Sequence, residues 1–350
     1  MRSRVRLNPP PFRTCDHQAL QTDGLQMDEV PRHSDGIEWA AGPQGIFRLE
    51  ELTYTQLEAM DRTRVAVLFN VSPLEEHGPH LPVGTDLITS GVICAKLAER
   101  IREAKPGWTV LIGPSIPVGA SAFDRAGTLL ARARTVRNVT RDYGASLARH
   151  GFRYILVLNG HGGLRHLVAL EEAAAVVSRR YRVRMISVSG PVLWQFMRGR
   201  YAHRLEDSLG RPFTAVEREA LDGDTHAGMW ETSLVLLNRP ELVRSTYRGL
   251  PAQKFELVDA IRRNYPLQRG NRLGYIGTPS AACAALGEAA QRLFLEAAWE
   301  LVEPVLDSHN RKWRQTSFLY KVPFLRTAFP RLAATAAVAL AVWALLRWLH

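Results

Sequence analysis

The sequence is poor in cysteine. It has three in 350 residues, Cys15, Cys94 and Cys283, and they form neither a CxxC pair nor a closely spaced ladder. This pattern excludes a disulfide-rich secreted scaffold and a cysteine-based zinc ribbon, and it indicates a reducing compartment. The first residues lack the apolar segment of a signal peptide, so we expect no classical secretory leader.

Acidic residues are absent from the last forty positions. From residue 311 onward the chain carries seven lysines and arginines, although the formal net charge of the whole chain is only +11. The body is therefore weakly basic, which argues against a nucleic-acid-binding face and predicts no nucleic-acid partner. The excess positive charge belongs to the tail.

Six of the seven tail cations precede an apolar stretch, LAATAAVALAVWALL, at 332–346. As a helix this stretch would be about 22 Å long, shorter than the roughly 30 Å hydrocarbon core of a bilayer. The basic and aromatic flank favours an anionic cytoplasmic membrane surface. We expect the body to be cytoplasmic and the tail, 311–350, to anchor it to the inner face of the membrane. A core or oligomer-interface helix is the alternative.

Strand and helix patterns alternate along the chain. Residues 1–36 show no sustained period and are expected to form a disordered extension. Residues 37–310 are predicted to form one α/β domain, with a mainly parallel sheet and helices on both faces. We predict strands at 64–72, 108–116, 152–163 and 182–190, helices at 87–104, 136–151, 164–181 and 280–310, a short helix within 47–60, and a loop-rich segment at 196–224.

Acidic and imidazole side chains are concentrated in three stretches, which are VSPLEEHGPHLPVGTD (71–86), NGHGG (159–163) and HAGMWETS (226–233). Because ligands of open α/β sheets bind beyond the carboxyl ends of the strands, the first two stretches should converge. Their donors suit divalent zinc, manganese or iron(II), since no cysteine lies near them. Asp86 could bridge two such ions with its two oxygens, and a dinuclear site of this kind activates a water and polarises a carbonyl.

The three motifs, in this order and spacing, resemble the creatininase (creatinine amidohydrolase) family from about Phe47 to about Glu303. The resemblance implies a creatininase-like α/β fold, a homo-oligomer that is often a hexamer, and two divalent metal ions per chain, with zinc expected first and manganese or iron as alternatives. It implies hydrolysis of small cyclic or linear amides, because the family includes formamide hydrolases and a peptide-trimming enzyme of mycofactocin maturation.

The resemblance also implies roles for individual residues. Glu75 and His161 correspond to ligands of one metal, His77 to a ligand of the other, and Asp86 to the bridging carboxylate. His226 corresponds to the proton shuttle of the reaction. Glu231 corresponds to a glutamate that closes the site in many members, and we expect it to be catalytic, a metal ligand, or both.

Two departures from creatininase itself concern the substrate. Creatininase has a metal-ligating glutamate two residues after the equivalent of His161, where this chain has Gly163. It also has a tryptophan four residues before the equivalent of His226, where this chain has Asp222. Many members carry a histidine before FPGT, whereas this chain reads FDRAGT at 123–128. We therefore expect a substrate other than creatinine.

Other residues in these stretches have simpler interpretations. Glu76 is interpreted as a solvated or supporting acid, His80 and His166 as structural histidines, and Trp230 as a core residue. The sequence thus predicts a dinuclear metal-dependent hydrolase of a small amide. The alternative is a catalytically silent family member that serves as a membrane-attached scaffold or binding module.

Overall fold

The structure is a computed structural model, and it describes residues 45–221, 223–254, 273–329 and 347. The predicted N-terminal extension, position 222 and the apolar stretch 332–346 lie outside the described residues.

Within the described residues, a sheet of five parallel strands forms the centre of the fold. The strands are β1 (Ile46–Arg48), β2 (Val65–Asn70), β3 (Thr109–Ile112), β4 (Tyr154–Leu158) and β5 (Arg184–Ser187). Their order across the sheet is β1-β3-β2-β4-β5. Ala66 of β2 lies opposite Val110 of β3 on one side and Tyr154 of β4 on the other. The predicted α/β class with a parallel sheet is confirmed.

Helices connect the strands and cover both faces of the sheet. The described helices are α1 (Tyr54–Ala59), α2 (Thr85–Ala104), α3 (Ala133–Arg149), α4 (Leu164–Tyr181), α5 (Ser189–Met197), α6 (Ala202–Leu209), α7 (Ala215–Leu221), α8 (Met229–Asn238) and α9 (Ala284–Leu306). Because side chains alternate along a strand, Leu156 and Leu158 of β4 join one apolar core with α2 and α9, whereas Ile155 and Val157 join another with α3 and α4. Strands that are buried on both faces in this way have continuous apolar sequences.

The predicted loop-rich segment at 196–224 is wrong, because it contains the end of α5 and all of α6 and α7. Turn residues between these short helices conceal them. Gly210 ends α6 in a left-handed conformation with φ +67°, and Pro212 follows two residues later. Thr214 then accepts the N–H of Glu217 at 3.1 Å, as a helix-capping side chain does.

The predicted short helix within 47–60 is partly correct. Its first residues extend β1, which pairs with β3. The helix itself starts later, where Thr53 and Gln56 form a reciprocal capping box at the beginning of α1.

Residues after position 310 contact α4. Both carboxylate oxygens of Glu171 accept the Ser317 N–H at 3.2 Å. Glu172 accepts from Arg326 Nε at 2.7 Å and from Thr327 Oγ1 at 2.5 Å. Part of the predicted tail therefore lies against the domain, and the expected domain boundaries stay a prediction. Among the described residues no helix is both long and apolar enough to cross a membrane.

Candidate metal centre

The loop that follows β2 brings two predicted ligands to the start of α2. The Glu75 N–H donates to the carbonyl of Val83 at 2.9 Å, which closes the loop. Just after His77, Gly78 turns the chain at φ +66°, a conformation that glycine adopts without strain. Asp86 lies in the first turn of α2. The loop thus places Glu75 and His77 next to Asp86, beyond the carboxyl end of β2.

The glycine-rich turn after β4 places His161 beside the same helix. Asn159 holds the turn, because its Oδ1 accepts the His161 N–H at 3.0 Å and its Nδ2 donates to the His161 carbonyl at 2.6 Å. A Cβ on Gly160 would lie 2.4 Å from the carbonyl oxygen of Asp86. Only glycine permits this approach of the turn to α2.

Two carboxylates occupy the N-terminus of α8. Glu231 Oε2 accepts the Ala227 N–H at 2.6 Å. Asp224 accepts the N–H groups of Met229 and Trp230 at 2.8 and 2.9 Å. Negative groups are favoured at this end of a helix, where backbone donors are otherwise unsatisfied. The hydrogen bond to Ala227 fixes Glu231 near the loop that carries the other candidate ligands.

Five side chains from these elements form two adjoining triads that share Asp86. Asp86 Oδ1 lies 3.4 Å from His77 Nε2, and Glu231 Oε2 lies 3.4 Å from the same nitrogen. Asp86 Oδ2 lies 3.4 Å from His161 Nδ1, and Glu75 Oε2 lies 2.9 Å from it. Within each triad the candidate ligand atoms lie within 4.8 Å of one another, so each triad could hold one ion.

Backbone carbonyls orient both imidazoles. His77 Nδ1 lies 2.9 Å from the carbonyl oxygen of Glu75, and His161 Nε2 lies 3.0 Å from that of Ala120. A carbonyl only accepts, so each of these nitrogens carries its proton as the donor. The other nitrogen of each ring faces the carboxylates, where it can bind a proton or a metal ion. Metal-ligating histidines are held in this way, with the second ring nitrogen donating to a carbonyl or carboxylate.

The polar atoms at the centre of the cluster fit a bound cation. Glu75 Oε2, His77 Nε2 and both oxygens of Asp86 are buried, and outside the two triads they have no hydrogen-bond partner among the described residues. Such groups carry a desolvation cost unless something compensates them. A divalent cation in each triad would compensate all four with ligands of the type that zinc and manganese accept.

The charges of the cluster favour cations as well. Burial alone would lower the pKa of His77, but Asp86 and Glu231 outweigh burial and raise it to about 10. Glu75 and Asp86 likewise raise the pKa of His161 well above its usual range. Burial would raise the pKa of Asp86, but the two imidazoles hold it well below its usual range. The field that binds protons so tightly at these imidazoles also attracts a divalent cation.

His226 lies at the edge of the cluster. Its Nε2 donates to the carbonyl of Glu76 at 2.8 Å. Its ring centroid is 4.6 Å from that of His77 and 4.7 Å from that of Phe123, which meets it edge-on. With Glu75 and His77 it forms a third group of candidate ligand atoms within 4.8 Å. His226 is thus held in one orientation within reach of the metal site.

The histidines interpreted as structural are buried and hydrogen-bonded. His80 Nε2 lies 2.9 Å from Thr232 Oγ1, and His166 Nε2 lies 3.1 Å from the carbonyl oxygen of Val71. Burial lowers the pKa of His80 to about 4 and that of His166 to about 3, so both rings are neutral. Glu76 supports the neighbouring turn, because its Oε2 accepts the Gly78 N–H at 3.1 Å. These contacts are those expected of structural side chains, and Glu76 is buried rather than solvated. The structural interpretation of the two histidines stays a prediction.

Sequence reasoning missed three supporting groups. The Phe123 N–H donates to Glu75 Oε1 at 2.5 Å, the Ala120 carbonyl orients His161, and the Asp224 carboxylate caps α8. The first two act through the main chain, which carries no residue-type signal. Asp224 was visible as an acid two residues before His226, and its place before an apolar helix was the available signal.

A cavity opens beside the cluster. The space within it, which includes open solvent at its mouth, is about 930 Å³, and His226 and the candidate ligand Glu231 are among the residues that line it. Its other walls come from α2, α5, α8 and α9 and are largely apolar. Trp230, which the sequence predicts as a core residue, packs partly buried against an apolar cluster and also lines this cavity.

Comparison with known proteins agrees with this architecture. The family model described as creatinine amidohydrolase matches residues 50–302. A mycofactocin precursor peptide peptidase of Mycobacterium ulcerans (strain Agy99) is 30% identical over 256 residues, which cover 71% of this chain and 87% of that protein. A solved structure named Creatininase Mn has a TM-score of 0.56 at 22% identity and covers 73% of this chain and 97% of its own. A mutant creatininase of Zn-Zn type has a TM-score of 0.56 at 23% identity and covers 73% and 97%.

The family match and the Mycobacterium ulcerans relative place the chain among the hydrolases of the amidohydrolase class. The chain belongs to the creatininase family.

Proposed function

We propose that this protein is a dinuclear metal-dependent hydrolase of an amide C–N bond in a small molecule or a short peptide. The observation that carries the proposal is the pair of triads that share Asp86, in which four central atoms are buried and have no hydrogen-bond partner outside the triads among the described residues. Glu75, Asp86 and His161 would hold one ion. His77, Asp86 and Glu231 would hold the other.

The proposed metal is zinc, with manganese or iron(II) as alternatives. Imidazole and carboxylate ligands suit all three ions. The comparison proteins support a dinuclear site of this kind, because one is named for manganese and another is of Zn-Zn type. The relative that matures the mycofactocin precursor supports peptide trimming as one form of the reaction.

When bound, two such cations supply an activated water and polarise the amide carbonyl. The protein's own residues then determine orientation and proton transfer. Asp86 is fixed in the first turn of α2 and offers one oxygen to each triad. His226, held by the Glu76 carbonyl, would deliver a proton to the leaving nitrogen. The apolar walls of the adjoining cavity would limit the access of bulk water.

The proposal is tested by metal analysis and a substrate panel. The full chain, purified and reconstituted separately with zinc, manganese and iron(II), should hold about two ions and hydrolyse at least one member of a panel of formamides, lactams and short peptides. His226→Gln should keep both ions and lose most turnover, whereas the exposed His309→Gln should change neither. A chain that retains no metal after reconstitution would contradict the proposal and favour the catalytically silent scaffold.

The homo-oligomer expected from the family resemblance and the membrane contact of the tail stay predictions. Light scattering of the full chain measures the oligomeric state. Sedimentation with anionic membranes, for the full chain and for a chain that ends after residue 329, tests the membrane contact.

A further inference from the structure

The cavity beside the metal centre has an apolar half. Four helices contribute to it, α2, α5, α8 and α9. The apolar side chains that line it include Ile93, Leu193, Phe196, Trp230, Leu234 and Phe294. A small polar amide bound at the metal centre would leave these side chains in contact with water. An apolar substituent would remove that surface from water, which is favourable.

Aromatic rings form part of this lining. The Phe196 centroid lies 6.1 Å from that of Trp230, at an interplanar angle of 74°. It lies 6.1 Å from that of Phe294 as well, with the two rings inclined by only 22°. These are edge-to-face and stacked arrangements, and a further ring adds favourably to either one.

The apolar half is continuous with the chemical centre. His226 and Glu231 line the same cavity as the aromatic rings, as do Gly160 and Gly162 of the turn that carries His161. Glycines at this end leave the main chain uncovered by side chains. A substrate whose amide reaches the candidate ligands can therefore extend its substituent directly between the four helices.

We propose that this cavity is a specificity pocket for a bulky apolar group, preferably aromatic, attached to the scissile amide. The inference rests on the proposed amidohydrolase function and names its substrate class. His226 lines the pocket and would donate its proton to the leaving nitrogen. The substituent on that nitrogen is accordingly the group that the pocket receives. The substrate is then an N-alkyl or N-arylalkyl amide, a class that includes a peptide bond followed by an apolar residue.

A matched series of amides tests the substrate class. Formamide, N-methylformamide and N-benzylformamide share one acyl group and differ only in the substituent on nitrogen. We expect kcat/KM to rise by about 100-fold from the methyl to the benzyl compound, since even one methylene in an apolar pocket changes it by about 10-fold or more. Equal or falling values along the series would overturn the pocket.

A pair of variants on one helix locates the effect. Phe294→Ala removes a pocket wall, whereas Leu295→Ala shortens the next residue of α9, which lines a separate groove with Lys96 and Trp299. Both side chains are partly buried, so general loss of packing affects both variants. Only Phe294→Ala should lower the benzyl-to-methyl ratio of kcat/KM, by about 10-fold. An equal change in both variants would overturn the assignment.

Binding separates this inference from the proposed function. Calorimetry of the full chain with N-benzylformamide measures a Kd whether or not the compound is hydrolysed, and burial of the ring should give a negative heat-capacity change. Binding that weakens about 10-fold in Phe294→Ala without any turnover would support the pocket and contradict the hydrolase. Turnover without benzyl preference or benzyl binding would support the hydrolase and contradict the pocket.

Discussion

Gly163 lies so close to His161 that a Cβ at position 163 would be 2.2 Å from Nε2 of the imidazole. The same Cβ would be 2.9 Å from the Ala120 carbonyl oxygen, the partner of that nitrogen. The φ of Gly163 is −57°, a value open to any residue. The glycine is therefore required by the space around the His161–Ala120 hydrogen bond rather than by its backbone conformation.

Gly163→Ala should weaken metal binding. The added methyl displaces the His161 ring from its carbonyl partner, and loss of such an orienting contact typically costs 10–100-fold in metal affinity. A chelator competition assay with zinc measures the change. Gly249→Ala is the matched control, because a Cβ there meets nothing within 4 Å. Equal zinc affinity in both variants would show that the Ala120 contact does not hold the ligand.

Asp86→Ala should remove metal and activity together. One carboxylate faces both triads, so its loss affects both ions rather than one. We expect the bound metal to fall well below two ions per chain and turnover to fall more than about 100-fold, beyond the cost of losing an outer contact. Elemental analysis and the amide assay measure the two effects, with the exposed Asp142→Ala as control. A variant that keeps two ions and full turnover would refute the shared-ligand assignment.

Creatinine should be a poor substrate. Position 163 has no carboxylate to act as the additional creatininase ligand, and a side chain there would collide with His161. The apolar half of the cavity also lacks a polar match for a small polar ring. We expect kcat/KM for creatinine at least about 100-fold below that of the best N-substituted amide. Comparable values, measured with the same metal, would contradict this expectation.

The burial of the Glu171 carboxyl should make stability depend on pH. Burial raises the pKa of Glu171 from its ordinary 4.5 to about 7, although two hydrogen bonds from Ser317 oppose the shift. The folded state therefore holds this proton more tightly than the unfolded state does. Its contribution to stability is complete below pH 4.5 and is lost as pH rises toward 7, by roughly 3 kcal/mol at most.

Urea unfolding of the full chain between pH 5 and 8 measures this loss, and Glu171→Gln should flatten the slope. The exposed Glu288→Gln on α9 is the control. Arg326 and Glu172 lie nearby, so the comparison of Glu171→Gln with the unchanged chain isolates the one carboxyl. An unaltered slope in Glu171→Gln would assign the pH dependence to other groups.

The predicted membrane anchor in the tail can be tested by a truncation that removes only the apolar stretch 332–346 and its flanking residues. Ser317 and Thr327 contact α4, so a chain ending after residue 329 keeps these contacts and removes the apolar stretch. The full chain should sediment with anionic membranes at high salt and the shortened chain should not. Phe318 and Phe324 are exposed by 59% and 61% beside the basic residues of this segment, which supports a residual, salt-sensitive binding of the shortened chain. If both chains sediment equally with membranes in the absence of detergent, the prediction of a membrane anchor is wrong.

The elements that sequence predicted well are those with a local signal. The apolar runs of β2 and β4 end in turn residues, and the polar stretches behind them were expected to meet because parallel strands end at one edge. Short elements were not predicted. The strand Ile46–Arg48 and the helices within 196–224 end in turns before a hydrophobic period becomes visible. The apolar cavity beside the metal centre was not predicted either. Phe196 and Phe294 are far apart in the chain, and no spacing reveals that they share a wall.

The parallel topology also fixes when the metal centre can form during folding. Strand β2 lies between β3 and β4, so both of its sides are paired only once the chain has been made as far as β4. Parallel strands of this kind meet only through crossover connections, which makes their pairing non-local and slow. Asp86 and Glu231 are separated by well over a hundred residues, so the triad of His77, Asp86 and Glu231 cannot form until the chain has been made as far as α8. A metal centre with both triads complete can therefore form only after most of the chain has been made.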